Sequence, residues 1–134
     1  MPHVAVVTDS VACLPKELIR EYGIYVVPVE LMFEDRVYRD GVDAIPGGFY
    51  KLLEESDKWP NTSPPTPAAY LNVYRELSRN ADKIICITLS SKFSSLLCSA
   101  EEARELAEEE LPQTNIEVFD SGVAAAAEGF VVLA

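Results

Sequence analysis

The sequence predicts an α/β domain: a mainly parallel sheet with helices on both faces. Three observations predict it. Residues 116–119 read as a strand, and residues 3–8 and 83–89 hold short, continuous apolar runs, Val4-Ala5-Val6-Val7 and Ile84-Ile85-Cys86-Ile87. A strand buried on both faces reads this way, without polar alternation. Helical stripes lie between these runs, and strands that alternate with helices pair in parallel through right-handed crossovers. A polar cluster follows each run: Thr8-Asp9-Ser10, Ser90-Ser91 and Asp120-Ser121. The arrangement is a doubly wound, three-layer one, Rossmann- or flavodoxin-like.

Each element has a local cause. Pro15 opens a short helix because its φ is already helical. Leu18, Ile19 and Tyr22 mark the apolar face of that helix, and Gly23 its stop. Residues 24–33, rich in β-branched and aromatic side chains, read as a second strand with an irregularity at Pro28. Glu34-Asp35 is a turn, from which Arg36-Val37-Tyr38 can pair back as one short antiparallel hairpin arm. Residues 46–56 read as a helix on Phe49, Leu52 and Leu53, with Gly47-Gly48 as its N-terminal cap. Residues 57–67 carry Pro60, Pro64, Pro65 and Pro67 and must run extended as a loop. Thr66 then caps a helix striped by Tyr70, Leu71, Tyr74 and Leu77. The helix after the third strand runs to Glu110 and buries Leu96, Ala100, Ala103 and Ala107. Its last turn is acidic, against the macrodipole, which predicts a frayed end. Residues 123–134 begin a last helix.

Composition narrows the function. The 134 residues are 49% hydrophobic and 25% charged, the profile of one soluble globular domain. A net charge of −11 repels nucleic acid and anionic membrane surfaces, and Lys and Arg are scattered singly. No segment reads as a signal peptide or a membrane span; Glu128 interrupts the longest late apolar stretch. Cys13, Cys86 and Cys98 are odd in number and widely spaced, as expected of reduced, mostly buried thiols in a cytoplasmic protein.

Ligands of open α/β sheets bind outside the carboxyl ends of the strands. The polar clusters and the Asn61-Thr62-Ser63 loop are placed to converge on one crevice there. Hydroxyls and helix N-terminal N–H groups hold an oxyanion without a cation. Serines after strands are also ordinary helix caps, but Ser90, Ser91, Ser94 and Ser95 cannot all cap one helix. Catalytic constellations are missing. The sole histidine, His3, starts the first strand, at the wrong end of the sheet. There is no zinc, EF-hand, GxGxxG or GxxxxGK[ST] spacing, so neither a metal nor a nucleotide cofactor is expected. Two alternatives stay open: a phosphoryl- or acyl-transfer domain using Asp9 or Ser94, and a structural domain whose serines are only caps. Cys98, in the first turns of its helix, reads as inert packing.

The ordered motifs Val6-Val7-Thr8-Asp9-Ser10 with Leu14-Pro15, Val27-Pro28-Val29, Tyr38-Arg39-Asp40-Gly41-Val42-Asp43, Phe49-Tyr50-Lys51-Leu52-Leu53, Pro60-Asn61-Thr62-Ser63-Pro64-Pro65, Ile87-Thr88-Leu89-Ser90-Ser91-Lys92-Phe93-Ser94 and Val118-Phe119-Asp120-Ser121 span nearly the whole chain. As a set they resemble the N-terminal domain of the DegV family (EDD domain) of bacterial fatty-acid-binding proteins. The resemblance implies a binder, not an enzyme. Such proteins hold one long-chain fatty acid, such as palmitate, stearate or oleate, in a tunnel between two domains. They present its carboxylate to a separate fatty acid kinase. The family's second domain has no counterpart in residues 1–134. By the same resemblance, Thr62 and Ser63 match the family's carboxylate-binding loop. Ser94 matches the serine of its Ser-Gly-Thr turn, with the N–H of Ser95 beside it. Asp9, Ser10, Ser91, Phe93 and Ala125 then support the pocket. The sequence departs from the family at Ser95 and Leu96, which replace Gly and Thr. Ala125 and Ala127 stand where Ser and Gly are usual, so a hydroxyl is lost and bulk added beside the tunnel.

Overall fold

Two sheets organise residues 3–134, the residues that this computed structural model describes. In chain order the elements are β1 (Val4–Asp9), a 3-10 turn (Ser10–Ala12), α1 (Lys16–Tyr22), β2 (Tyr25–Val27), β3 (Glu30–Phe33), β4 (Arg36–Arg39) and α2 (Pro46–Glu54). Then follow β5 (Asn61–Ser63), α3 (Pro67–Leu77), β6 (Lys83–Thr88), α4 (Leu96–Glu110), β7 (Asn115–Asp120) and α5 (Ala126–Leu133). The larger sheet is parallel throughout, in the order β2-β1-β6-β7. The smaller is antiparallel, in the order β4-β3-β5.

Helices cover both faces of the parallel sheet. On one face, α3 and α4 bury Tyr70, Tyr74, Leu96, Ala100 and Ala103 against Ala5, Val7, Ile84 and Cys86. Small alanines on α4 allow it to lie close, and the Tyr74 hydroxyl donates to the Ala100 carbonyl at 3.3 Å. On the other face, Val132 of α5 packs with Ile24 and Ile87, flanked by Val6, Leu14 and Val131. In the small sheet, Phe49 of α2 meets Phe33 and Tyr38 edge-on at 5.7 and 5.8 Å between ring centres. The α/β class, the parallel core and the antiparallel hairpin arm are therefore as the sequence predicts.

Several local expectations are corrected. The single strand over residues 24–33 is two strands in different sheets. Val27 is the last residue paired to β1, and Glu30 the first paired to β4 and β5. Pro28, without an N–H, sits where the chain leaves one ladder for the other. The proline-rich segment is not all loop, because Asn61–Ser63 docks on β3 as an edge strand. Gly47 and Gly48 lie inside α2, whose N-cap is Ile45. Tyr22 is exposed and Leu18 and Ile19 are only half-buried, so α1 lies on the surface. Cys13 and Cys98 are exposed and Cys86 alone is buried, against the expectation of mostly buried thiols. The acidic end of α4 is helical to Glu110, where Arg75 of α3 clasps Glu110 at 2.7 and 2.8 Å.

Candidate functional site

The strand order places the crevice. From β1 the chain steps outward to β2, then crosses back to β6 on the other side of β1. Neighbouring connections diverge between β1 and β6, and the open ends of those strands leave room for a ligand. Asp9 ends β1 at this point and ties the gap together. Its Oδ1 accepts from the Val11 N–H and its Oδ2 from the Leu89 N–H beyond β6, both at 2.9 Å. Ser10 holds the next layer, its Oγ accepting from the Val29 N–H at 3.0 Å.

The serine cluster divides by role. The Ser91 hydroxyl donates to Asp120 at 2.6 Å, and Asp120 also accepts from the Gly122 N–H at 2.9 Å. These donors hold the Asp120 carboxyl below the usual aspartate range. The Ser90 Oγ accepts from the Lys92 N–H at 3.3 Å. The Ser94 Oγ accepts from the Leu96 N–H at 3.2 Å and closes the first turn of α4. Ser95, the residue before the helix, makes no side-chain cap bond and is exposed. Phe93 is 71% exposed between these serines.

Thr62 lies in the middle of β5, opposite Leu31, which in turn faces Tyr38 on β4. Its side chain shares a sheet face with that apolar pair and is exposed. Ser63 is half-buried, and its hydroxyl donates weakly to the Pro64 carbonyl at 3.5 Å. Ala125, exposed just before α5, has φ 54° and ψ −134°. An apolar cleft of about 400 Å³ opens beside Asp9 and Ser10, walled by Leu14, Ile19, Val26 and Val42. Neither Thr62 nor Ser94 lines it. His3 lines a different cavity, beside Tyr22 and Glu76.

One residue that pattern reading passes over stands at the centre. Glu128 of α5 is completely buried, and its Oε1 accepts from the Thr8 hydroxyl at 3.3 Å. Its carboxyl is pushed up to about 9, first by burial and then by Asp9. Burial raises Asp9 as well. The available signal is that Glu128 is the lone charge in an apolar stretch. No group of His, Cys, Asp and Glu suited to a metal ion occurs among the described residues. No helix among them is long and apolar enough to cross a membrane.

This geometry has close counterparts. A DegV domain-containing protein of Caldanaerobacter subterraneus is 39% identical over 133 residues, which cover 99% of this chain and 46% of that relative. The solved structure of DegV from Bacillus subtilis, described as a fatty acid binding protein, matches with a TM-score of 0.91 at 31% identity. That match covers 99% of this chain and 46% of the other. A stearic-acid-binding protein of Eubacterium ventriosum also matches at TM-score 0.91, with 30% identity, over 97% of this chain and 45% of its own. The chain thus spans about half the length of the curated relatives it matches. The family model described as "Uncharacterised protein, DegV family" matches residues 3–134, and the chain belongs to that family.

Proposed function

We propose that the chain holds one long-chain fatty acid by its carboxylate at the open ends of β1 and β6. The observation that carries this reading is its likeness, over nearly the whole chain, to half of a fatty-acid-binding protein. Its own residues suit the task. The Thr62 side chain is open to solvent. The Ser94 Oγ accepts from Leu96 and so keeps its own proton for an anion. Ser95 offers a backbone N–H at the positive end of α4, and Ser63 flanks Thr62. Charge-assisted hydrogen bonds of this kind hold an oxyanion without Lys or Arg. Asp9, Ser10 and Ser91 act as supports, since their side chains are committed to setting the loops. Phe93 and Ala125 are exposed and free to meet the ligand, and the apolar cleft suits part of a hydrocarbon tail.

In this reading a second domain, of the kind the relatives' greater length provides, closes the tunnel. The held carboxylate is then presented to a separate kinase. In this reading the chain binds and transfers nothing, and Asp9, whose two oxygens each accept a backbone N–H bond, holds its loops in place. Native mass spectrometry of the protein as isolated tests the reading, with a bound fatty acid expected. Thr62→Ala and Ser94→Ala should each weaken oleate binding by about 1–3 kcal/mol, the cost of one hydrogen bond to a charged group. An extract free of fatty acid, together with no uptake of added oleate or palmitate, would sink it.

A further inference from the structure

Glu128 and Asp9 bring two carboxyl groups together in the interior. Both residues are at most 1% exposed. Asp9 already accepts an N–H bond on each oxygen. That arrangement favours Asp9 as the anion. Glu128 has Oε1 on the Thr8 hydroxyl, while its Oε2 is buried with no donor to it. An ionised Glu128 would leave that oxygen bare and set a second negative charge beside the first. A protonated Glu128 has neither problem, because its O–H can donate to Asp9.

Lys16 lines the cleft beside Asp9, but the main influences on the two carboxyls are burial, hydrogen bonds and each other. The pair in turn raises three neighbouring groups, Cys13 after the 3-10 turn, Tyr70 of α3 and Cys86 of β6. Asp40, from the loop before α2, acts on Cys13. None of these is a cation. The pair also lies at a junction of segments. Asp9 joins β1 to the end of β6, and Glu128 lies on α5, which packs on the 3-10 turn. Gly129 sets how closely: a Cβ there would stand 2.6 Å from the Ala12 carbonyl oxygen.

We propose that Glu128 is held as a neutral carboxylic acid donating to Asp9, and that this shared proton latches α5 onto the β1 turn, so that alkaline pH releases the helix. Loss of the proton would also disturb Asp9, and through it the Leu89 loop that leads to Ser94. The proposal does not depend on fatty acid binding.

Carboxyl ¹³C NMR of the full chain reads the Glu128 titration directly. Hydrogen exchange of the α5 amides, corrected for base catalysis, reads the latch. Between the ordinary glutamate range and the raised value, each pH unit favours the open helix by up to about tenfold. Protection should therefore fall at least about tenfold from pH ~6 to ~8 in the wild type. Glu128→Gln keeps a donor toward Asp9 but has no proton to lose, so its protection should be level over that range. Titration of Glu128 in the ordinary carboxyl range would overturn the proposal. So would flat wild-type protection, or an equal fall in Glu128→Gln. If that variant does not fold, the wild-type titration and exchange still decide.

Discussion

At φ 54° and ψ −134°, Ala125 occupies a region that glycine enters freely and alanine does not. Ala125→Gly should therefore stabilise the protein, by about 1 kcal/mol after the entropy of the more flexible unfolded chain is offset. Urea denaturation measures it, and a loss of stability would show that the strain is absent. Gly129 makes the opposite case. The nearest atom to an added Cβ is a backbone oxygen, which cannot swing away. Gly129→Ala should cost about 1–3 kcal/mol despite the better helix propensity of alanine. The same denaturation assay reads it. Residue chemistry was only partly legible in the sequence. The polar clusters after strands announce a crevice, and Asp9 and Ser10 line a cleft there while Ser94 does not. Glu128 was not legible, because its partners Thr8 and Asp9 lie at the other end of the chain.

Among the elements, α4 carries the clearest conflict between local and tertiary forces. Its acidic last turn opposes the helix dipole, yet Arg75 from α3 and Arg104 within the helix bind Glu110, Glu101 and Glu108. These pairs are exposed or only partly buried, so their effect is small and salt-dependent. Arg75→Ala should loosen the end of α4 at low salt, with little difference from wild type at about 1 M salt. Amide exchange of residues 107–111 measures this, and a salt-independent effect would point to packing instead. The elements on continuous apolar runs were legible, since a fully buried strand needs no alternation. The split at Pro28 and the strand at Asn61–Ser63 were not. A three-residue edge strand beside four prolines has no period of its own, and only the partner β3 makes it a strand.

For the whole molecule, stability should depend on pH in a direction set by the buried acids. Burial pushes the Glu128 carboxyl up to about 9 in the fold, against an ordinary value of 4.5. Over that window the native state keeps a proton that the unfolded chain releases, so stability falls as pH rises. Asp9, also raised, acts in the same direction. Asp120, which is lowered, acts oppositely and loses its contribution only in acid. Thermal melting should thus be highest on the mildly acidic side of neutrality and decline toward pH 9, with a smaller decline in Glu128→Gln. Added oleate should raise the melting temperature, since a ligand that binds only the native state stabilises it by mass action. The sequence by itself determined the α/β class, the buried faces of α3 and α4 and the hydroxyl-rich chemistry after the strands. All of these follow from side-chain periods and residue types within a few positions of one another. Only the tertiary structure decided that the chain builds two sheets, that Asp9 bridges to Leu89, and that Glu128 is buried against Thr8 and Asp9. Pairing register and burial, not spacing along the chain, bring those distant groups into contact.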